Sequence, residues 1–151
     1  MDHLLMTAPC GLDCFNCPFY LAAADSDALQ YVRAVSELVG VPVEKLTCKG
    51  CRAHDGRVPA HVSLFGEDHR CGAYECSKQR GVLLCGHCDD FPCENLQPCA
   101  DRADVLPHNT KVYNLGLINR LGLERWAEGR AATIRSEYFQ RPWSLKDRRA
   151  G

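Results

Sequence analysis

The sequence predicts an α+β fold, mainly α: a small metal-stapled domain with cysteine knuckles, short β elements and a C-terminal helical hairpin. Three observations predict it. Eleven cysteines stand in 151 residues, and most fall in metal-ligand spacings. After Cys99 the chain has no cysteine, and apolar residues there recur at helical period. Little of the chain carries the alternating pattern of a strand.

Size and composition fit one domain over residues 1–151, with a cysteine-rich part at 8–99, a helical part at 100–140 and a basic tail at 141–151. Apolar residues (46%) and charged residues (25%) are near the globular average. Five Phe, five Tyr and two Trp leave most of the packing to Leu and Val, so metal clips would add stability. Eighteen basic and nineteen acidic side chains give a net charge of −1, which supplies no electrostatic footprint for nucleic acid or an anionic membrane. In the tail, Arg141, Lys146, Arg148 and Arg149 oppose Asp147 and read as a solvated terminus.

No run approaches the ~20 apolar residues that span a bilayer. The start, Met1 to Thr7, lacks the basic and apolar stretches of a signal peptide. The expected location is the cytoplasm, where thiols stay reduced. Dense cysteine pairs in that compartment point to metal rather than disulfides.

The elements follow in order. Pro18 to Ala24 predicts a short helix opening off Cys17. Asp25 or Ser26 caps the next helix, and Gly40 with Pro42 ends it. Ala28, Leu29, Val32, Val35, Leu38 and Val39 fall largely on one of its faces. Residues 52–70 read as a loop with a short strand at Val62 to Phe65. Ala73 to Arg80 predicts two helical turns stopped by Gly81, and Val82 to Leu84 a buried strand leading into Cys85. Asp90 caps a helix with Pro92 near its start, running through Leu96 towards Pro98. His108 to Thr110 starts a helix carrying Val112, Leu115, Ile118 (or Asn119) and Leu121, which Gly122 stops. Glu124 to Phe139 makes the second, with Trp126, Ala127, Ala131, Ile134 and Tyr138 as its apolar side. The short loop between them predicts an antiparallel hairpin.

The cysteines carry the chemistry. A Cys-x-x-Cys turn lets two thiolates reach one metal, and Gly50 and Gly86 relax the turns at Cys48–Cys51 and Cys85–Cys88. The expected ligands are Cys10, Cys14, Cys17, Cys48, Cys51, Cys71, Cys76, Cys85, Cys88 and Cys93, holding about two zinc ions. One site would use Cys10, Cys14 and Cys17 with Cys76 or Cys93. The other would draw on Cys48, Cys51, Cys85 and Cys88, with Cys71 competing. Cys99 reads as buried and unligated. His54, His61, His69 and His87 read as surface or supporting groups rather than ligands.

An iron–sulfur cluster is the alternative cofactor. Cys10-x3-Cys14-x2-Cys17 matches the cluster spacing of radical S-adenosylmethionine enzymes, but their long barrel does not fit in this chain. Cys85-Gly-His-Cys88 matches a thioredoxin-type motif in letters without the βαβ context. There is no Gly-rich phosphate loop, no Gly-x-Ser-x-Gly and no His-Glu-x-x-His. Closed thiolate zinc is structural. The expected role is therefore a metal-stapled binding or adaptor module with a protein partner, and the alternative is an iron–sulfur or thiol-dependent redox enzyme.

The motif order also resembles a known family. Cys10 to Cys17, Cys48 to Cys51, Cys71 to Cys76, and Cys85 to Glu94 with its Phe-Pro-Cys-Glu end are similar to an uncharacterised cysteine-rich prokaryotic family, domain of unknown function 3795. Asn114 to Ile118 and Gly122 to Trp126 resemble its helical C-terminal part, so the likeness spans residues 8–130. The resemblance implies a small zinc-binding protein and supplies no reaction. Many members of that family carry a further cysteine pair after the helices, which this chain lacks.

Overall fold

Helices carry nearly all the regular structure of the computed structural model, which describes residues 2–96 and 110–140. Helix α1 (Pro18–Leu21) opens directly off Cys17, with Pro18 fixing the first turn. Helix α2 (Ser26–Val39) has Asp25 as its N-cap, whose carboxylate accepts the Ala28 N–H at 2.7 Å. Gly40 closes it in the left-handed conformation at φ 68°. Both ends match the sequence expectation. The expected apolar face is shorter: Ala28 and Val32 are buried, whereas Leu38 and Val39 run past the core and are exposed.

Helix α3 (Val43–Leu46) follows Pro42 and buries Leu46. The expected strand at Val62 to Phe65 is instead helix α4 (Pro59–Phe65), which Pro59 initiates and Gly66 ends. Helix α5 (Gly72–Gln79) matches the two expected turns. Val82 to Leu84 forms no strand, because no neighbouring chain pairs with it. Leu84 is nevertheless buried, and the next N–H, of Cys85, donates to Pro9 O at 2.8 Å. The helix expected after Asp90 shrinks to one 3-10 turn, Glu94–Leu96. Among the described residues the β structure is one isolated bridge, Thr7 to Asp13, so the expected short β elements reduce to it and the fold is mainly helical. Pro98, Cys99, His108, Asn109 and the basic tail lie outside the described residues.

Helix α6 (Thr110–Leu121) ends at Gly122, where the chain turns into α7 (Leu123–Trp126). A π-helical turn (Ala127–Ala131) then leads into α8 (Ala132–Gln140), so the expected single helix carries a wide turn within it.

Two cores result. The smaller gathers Ala22, Val32 and Leu46 beneath α2. The larger joins Ala8, Cys10, Phe15, Cys51 and Leu84 to Leu115, Ile118, Trp126, Ala131 and Ile134. The cysteine turns thus pack directly on the C-terminal helices.

Candidate metal centre

The first cysteine group is built on a tight turn. The Ala8 N–H donates to Leu12 O at 2.8 Å and the Gly11 N–H to Ala8 O at 2.9 Å. Gly11 has φ +85°, and a side-chain carbon there would stand 2.9 Å from Leu115 Cγ, so only glycine lets the turn seat against α6. Asn114 fixes the contact, donating from Nδ2 to Gly11 O at 2.9 Å. Cys10 is buried inside this turn, while Cys14 and Cys17 flank the 3-10 turn Cys14–Asn16.

The second group comes to the first. The Cys48 N–H donates to Phe19 O at 2.8 Å, tying the 48–51 turn to the end of α1. Within it, the Gly50 N–H points at Cys48 Sγ, 3.3 Å away. Gly50 has φ +88°, and a side-chain carbon there would lie 3.7 Å from Cys14 Sγ. Burial and then the neighbouring Cys17, Cys48 and Cys10 push the Cys14 thiol up to about 12, while an N–H from Cys51 works against them. Burial and then Cys14 and Cys10 raise Cys51 to about 12 as well. The Cys48 thiol is also raised, by burial first and then, after the opposing Gly50 N–H, by Cys17. Cys14, Cys17, Cys48 and Cys51 therefore share one neighbourhood.

A second set gathers around Cys85. The Cys85–His87 3-10 turn brings Cys88 round, with its N–H on Cys85 O at 3.1 Å. Cys76 on α5 and Cys93 before the Glu94–Leu96 turn complete the set. Cys76, Cys85, Cys88 and Cys93 line one cavity of ≈ 300 Å³, with Arg80 and Phe91 on its wall. Arg80 Nη1 lies 3.8 Å from Cys88 Sγ and its other nitrogen pairs with Asp90. Burial, then Cys10, Cys93, Cys76 and Cys88, push Cys85 up to about 12.

Cys10 and Cys71 lie between the sets. Cys10 acts on Cys14, Cys51 and Cys85 alike, and Cys71 acts on Cys10 and Cys51. The Cys71 N–H reaches the loop after Cys51 through Gly56 O at 3.0 Å. Neighbours in space differ from the pairs that spacing suggests: Cys48 lies by Cys17 and Cys14, Cys51 by Cys14 and Cys10, and Cys85 by Cys10, Cys93 and Cys76.

Thiols are the donors a thiophilic cation prefers, and backbone N–H groups are aimed at two of them, Cys48 and Cys14. Among the described residues no three cysteine sulfurs lie within 4.8 Å of one another.

The histidines behave as supports. His54 Nε2 accepts the Lys49 N–H at 2.9 Å and so braces the 48–51 turn. Burial first, then Lys49, lowers its pKa and keeps the accepting form. His61, Phe65 and His69 pack ring against ring, and His87 is exposed. Sequence reasoning missed His3, whose Nδ1 meets Glu124 from the far end of the chain.

A small, mainly helical chain with ten cysteines among its described residues is a cysteine-rich protein. The chain belongs to the family described as protein of unknown function, DUF3795, which matches residues 6–98. The likeness read at Asn114 to Trp126 lies beyond that match. No curated protein and no solved structure matches the chain. Among the described residues no helix is long and apolar enough to cross a membrane.

Proposed function

We propose that the protein is a metal-stapled binding or adaptor module, working in a reducing compartment such as the cytoplasm. Cys14, Cys17, Cys48 and Cys51 hold one zinc ion, and Cys76, Cys85, Cys88 and Cys93 hold a second. The observation that carries this reading is the meeting of the 48–51 turn with Cys14, where a carbon built on Gly50 would be in ordinary contact with Cys14 Sγ at 3.7 Å. Two Cys-x-x-Cys turns from separate stretches of chain meet over buried sulfurs, an arrangement that a shared cation would tie together. A bound zinc ion supplies the positive charge that lets these thiols ionise, and four thiolates leave it no open position for substrate. Burial raises Cys10, Cys14, Cys48, Cys51 and Cys85 in the metal-free chain, so none of these five is an activated nucleophile there.

The iron–sulfur reading keeps one specific support. The second set lines a cavity of ≈ 300 Å³, more room than a single ion needs. Elemental analysis and an absorption spectrum of protein purified without oxygen separate the two. Colourless protein with zinc that unfolds on chelation supports the module. Brown protein with iron and sulfide moves the second set to a cluster, and metal-free protein that stays folded ends the proposal.

A further inference from the structure

The N-terminal segment meets the π-helical turn through three side chains that no cysteine site uses. His3 Nδ1 and carboxylate oxygens of Glu124 and Glu128 all lie within 4.8 Å of one another. We propose that these three residues form a separate binding site for a divalent transition-metal ion, with an imidazole nitrogen and two carboxylate oxygens as its donors.

The trio is built, not scattered. The His3 side chain is only 12% exposed. Its ring packs on Phe15 with centroids 5.1 Å apart, and Phe15 meets Trp126 edge-on at 5.9 Å. Trp126 is fully buried between the two glutamates in sequence, so the histidine and the carboxylates share one rigid support. The His3 carbonyl is held in turn by the Thr7 hydroxyl, which donates to it at 2.6 Å. Glu124 and Glu128 stand four residues apart on one face, an arrangement that costs stability through like-charge repulsion. Among the described residues neither carboxylate forms an ion pair with a lysine or arginine. A cation beside His3 offsets both charges at once.

The donor chemistry selects the class of ion. One imidazole and two carboxylates suit borderline to hard divalent ions such as manganese, iron(II) or cobalt, and not soft ions such as copper(I). Three protein donors leave further positions for water. The site is independent of the cysteine sets and does not rest on their content.

Manganese(II) is the probe, because thiolate sites take it poorly. The full chain, with its cysteine sites as purified, is titrated and free manganese is counted by its electron paramagnetic resonance signal. The expected result is one saturable equivalent, weakened about tenfold or more in Glu128→Gln and in His3→Asn, with the metal-free Glu128→Gln no less stable to heat than the wild type. Selective broadening of the His3 ring resonances at low manganese occupancy is expected as well. The proposal is overturned if the wild type binds no manganese. It is equally overturned if Glu128→Gln binds with wild-type affinity, which would mark scattered binding at exposed carboxylates.

Discussion

Arg135 on the last helix donates from Nε to Asp13 Oδ1 at 2.9 Å and from Nη2 to the Asp13 carbonyl oxygen at 3.1 Å, clamping α8 onto the first cysteine turn. The Asp13 side chain is 4% exposed and takes a further bond from Asn16 Nδ2 at 3.0 Å. Burial alone would lower the Arg135 pKa. The Asp13 hydrogen bond and charge, with Cys17 and Cys14 behind them, outweigh it and raise it. The cysteine-free helices thus act as a lid on the cysteine turns.

Arg135→Ala leaves a buried carboxylate without its partner. The expected loss of stability is about 3–5 kcal/mol, the range for one half of a buried pair. Urea unfolding of the variant against wild type measures it. A loss under about 1 kcal/mol, typical of a solvated pair, would show that the clamp carries little.

Gly11→Ala tests how closely the first turn sits on α6. Left-handed backbone costs an L-residue about 1–2 kcal/mol, and overpacking adds about 1–3. The new carbon meets Leu115 Cγ at 2.9 Å and Lys111 O at 3.1 Å. A combined loss of about 2–5 kcal/mol is expected from denaturant melts. Wild-type stability would mean the turn shifts freely off the helix.

Much of this was legible in the residues themselves. Asp25 and Gly40 mark α2 through capping chemistry that acts within a few residues, and Gly122 marks the turn between α6 and α7 likewise. Helix α4 was not legible, because Leu64 and Phe65 are exposed and leave no buried face to set a helical period. The cysteine spacing names the candidate ligands, whereas which cysteines become neighbours depends on bonds between distant stretches, Cys48 to Phe19 and Cys85 to Pro9, which no local pattern encodes. The His3 contact with Glu124 was invisible for the same reason.

The raised thiols set a pH dependence for the reduced, metal-free protein. Cys14, Cys51 and Cys85 go from 9.0 to about 12, so between those values the fold holds protons that the open chain has released. With more protons bound folded than unfolded, stability falls as pH rises, by up to about 1.4 kcal/mol per pH unit for each thiol. Melting temperatures should be level from about pH 7 to about pH 8 and decline from about pH 9 to about pH 10.5. A flat profile would mean the thiols are not buried together. The zinc-loaded protein should instead be weakest in acid, where protons displace the ion.

Asn114→Ala removes a buried side chain that links Gly11 O to Trp126, whose Nε1–H donates to Asn114 Oδ1 at 3.4 Å. Leaving the Gly11 carbonyl without that partner is expected to cost about 1–3 kcal/mol. Equilibrium unfolding checks it, and an unchanged midpoint would mean that water or a shifted neighbour replaces the amide.

The most direct measurement is metal content in cysteine variants, counted per chain after anaerobic purification. The account predicts about two ions in the wild type and about one each in Cys14→Ser, Cys48→Ser and Cys85→Ser. The Cys14→Ser/Cys48→Ser double variant should keep one ion, because both residues serve the same site, and Cys48→Ser/Cys85→Ser should keep none. A folded wild type without metal would contradict the account. So would a Cys14→Ser/Cys48→Ser protein that has lost both ions.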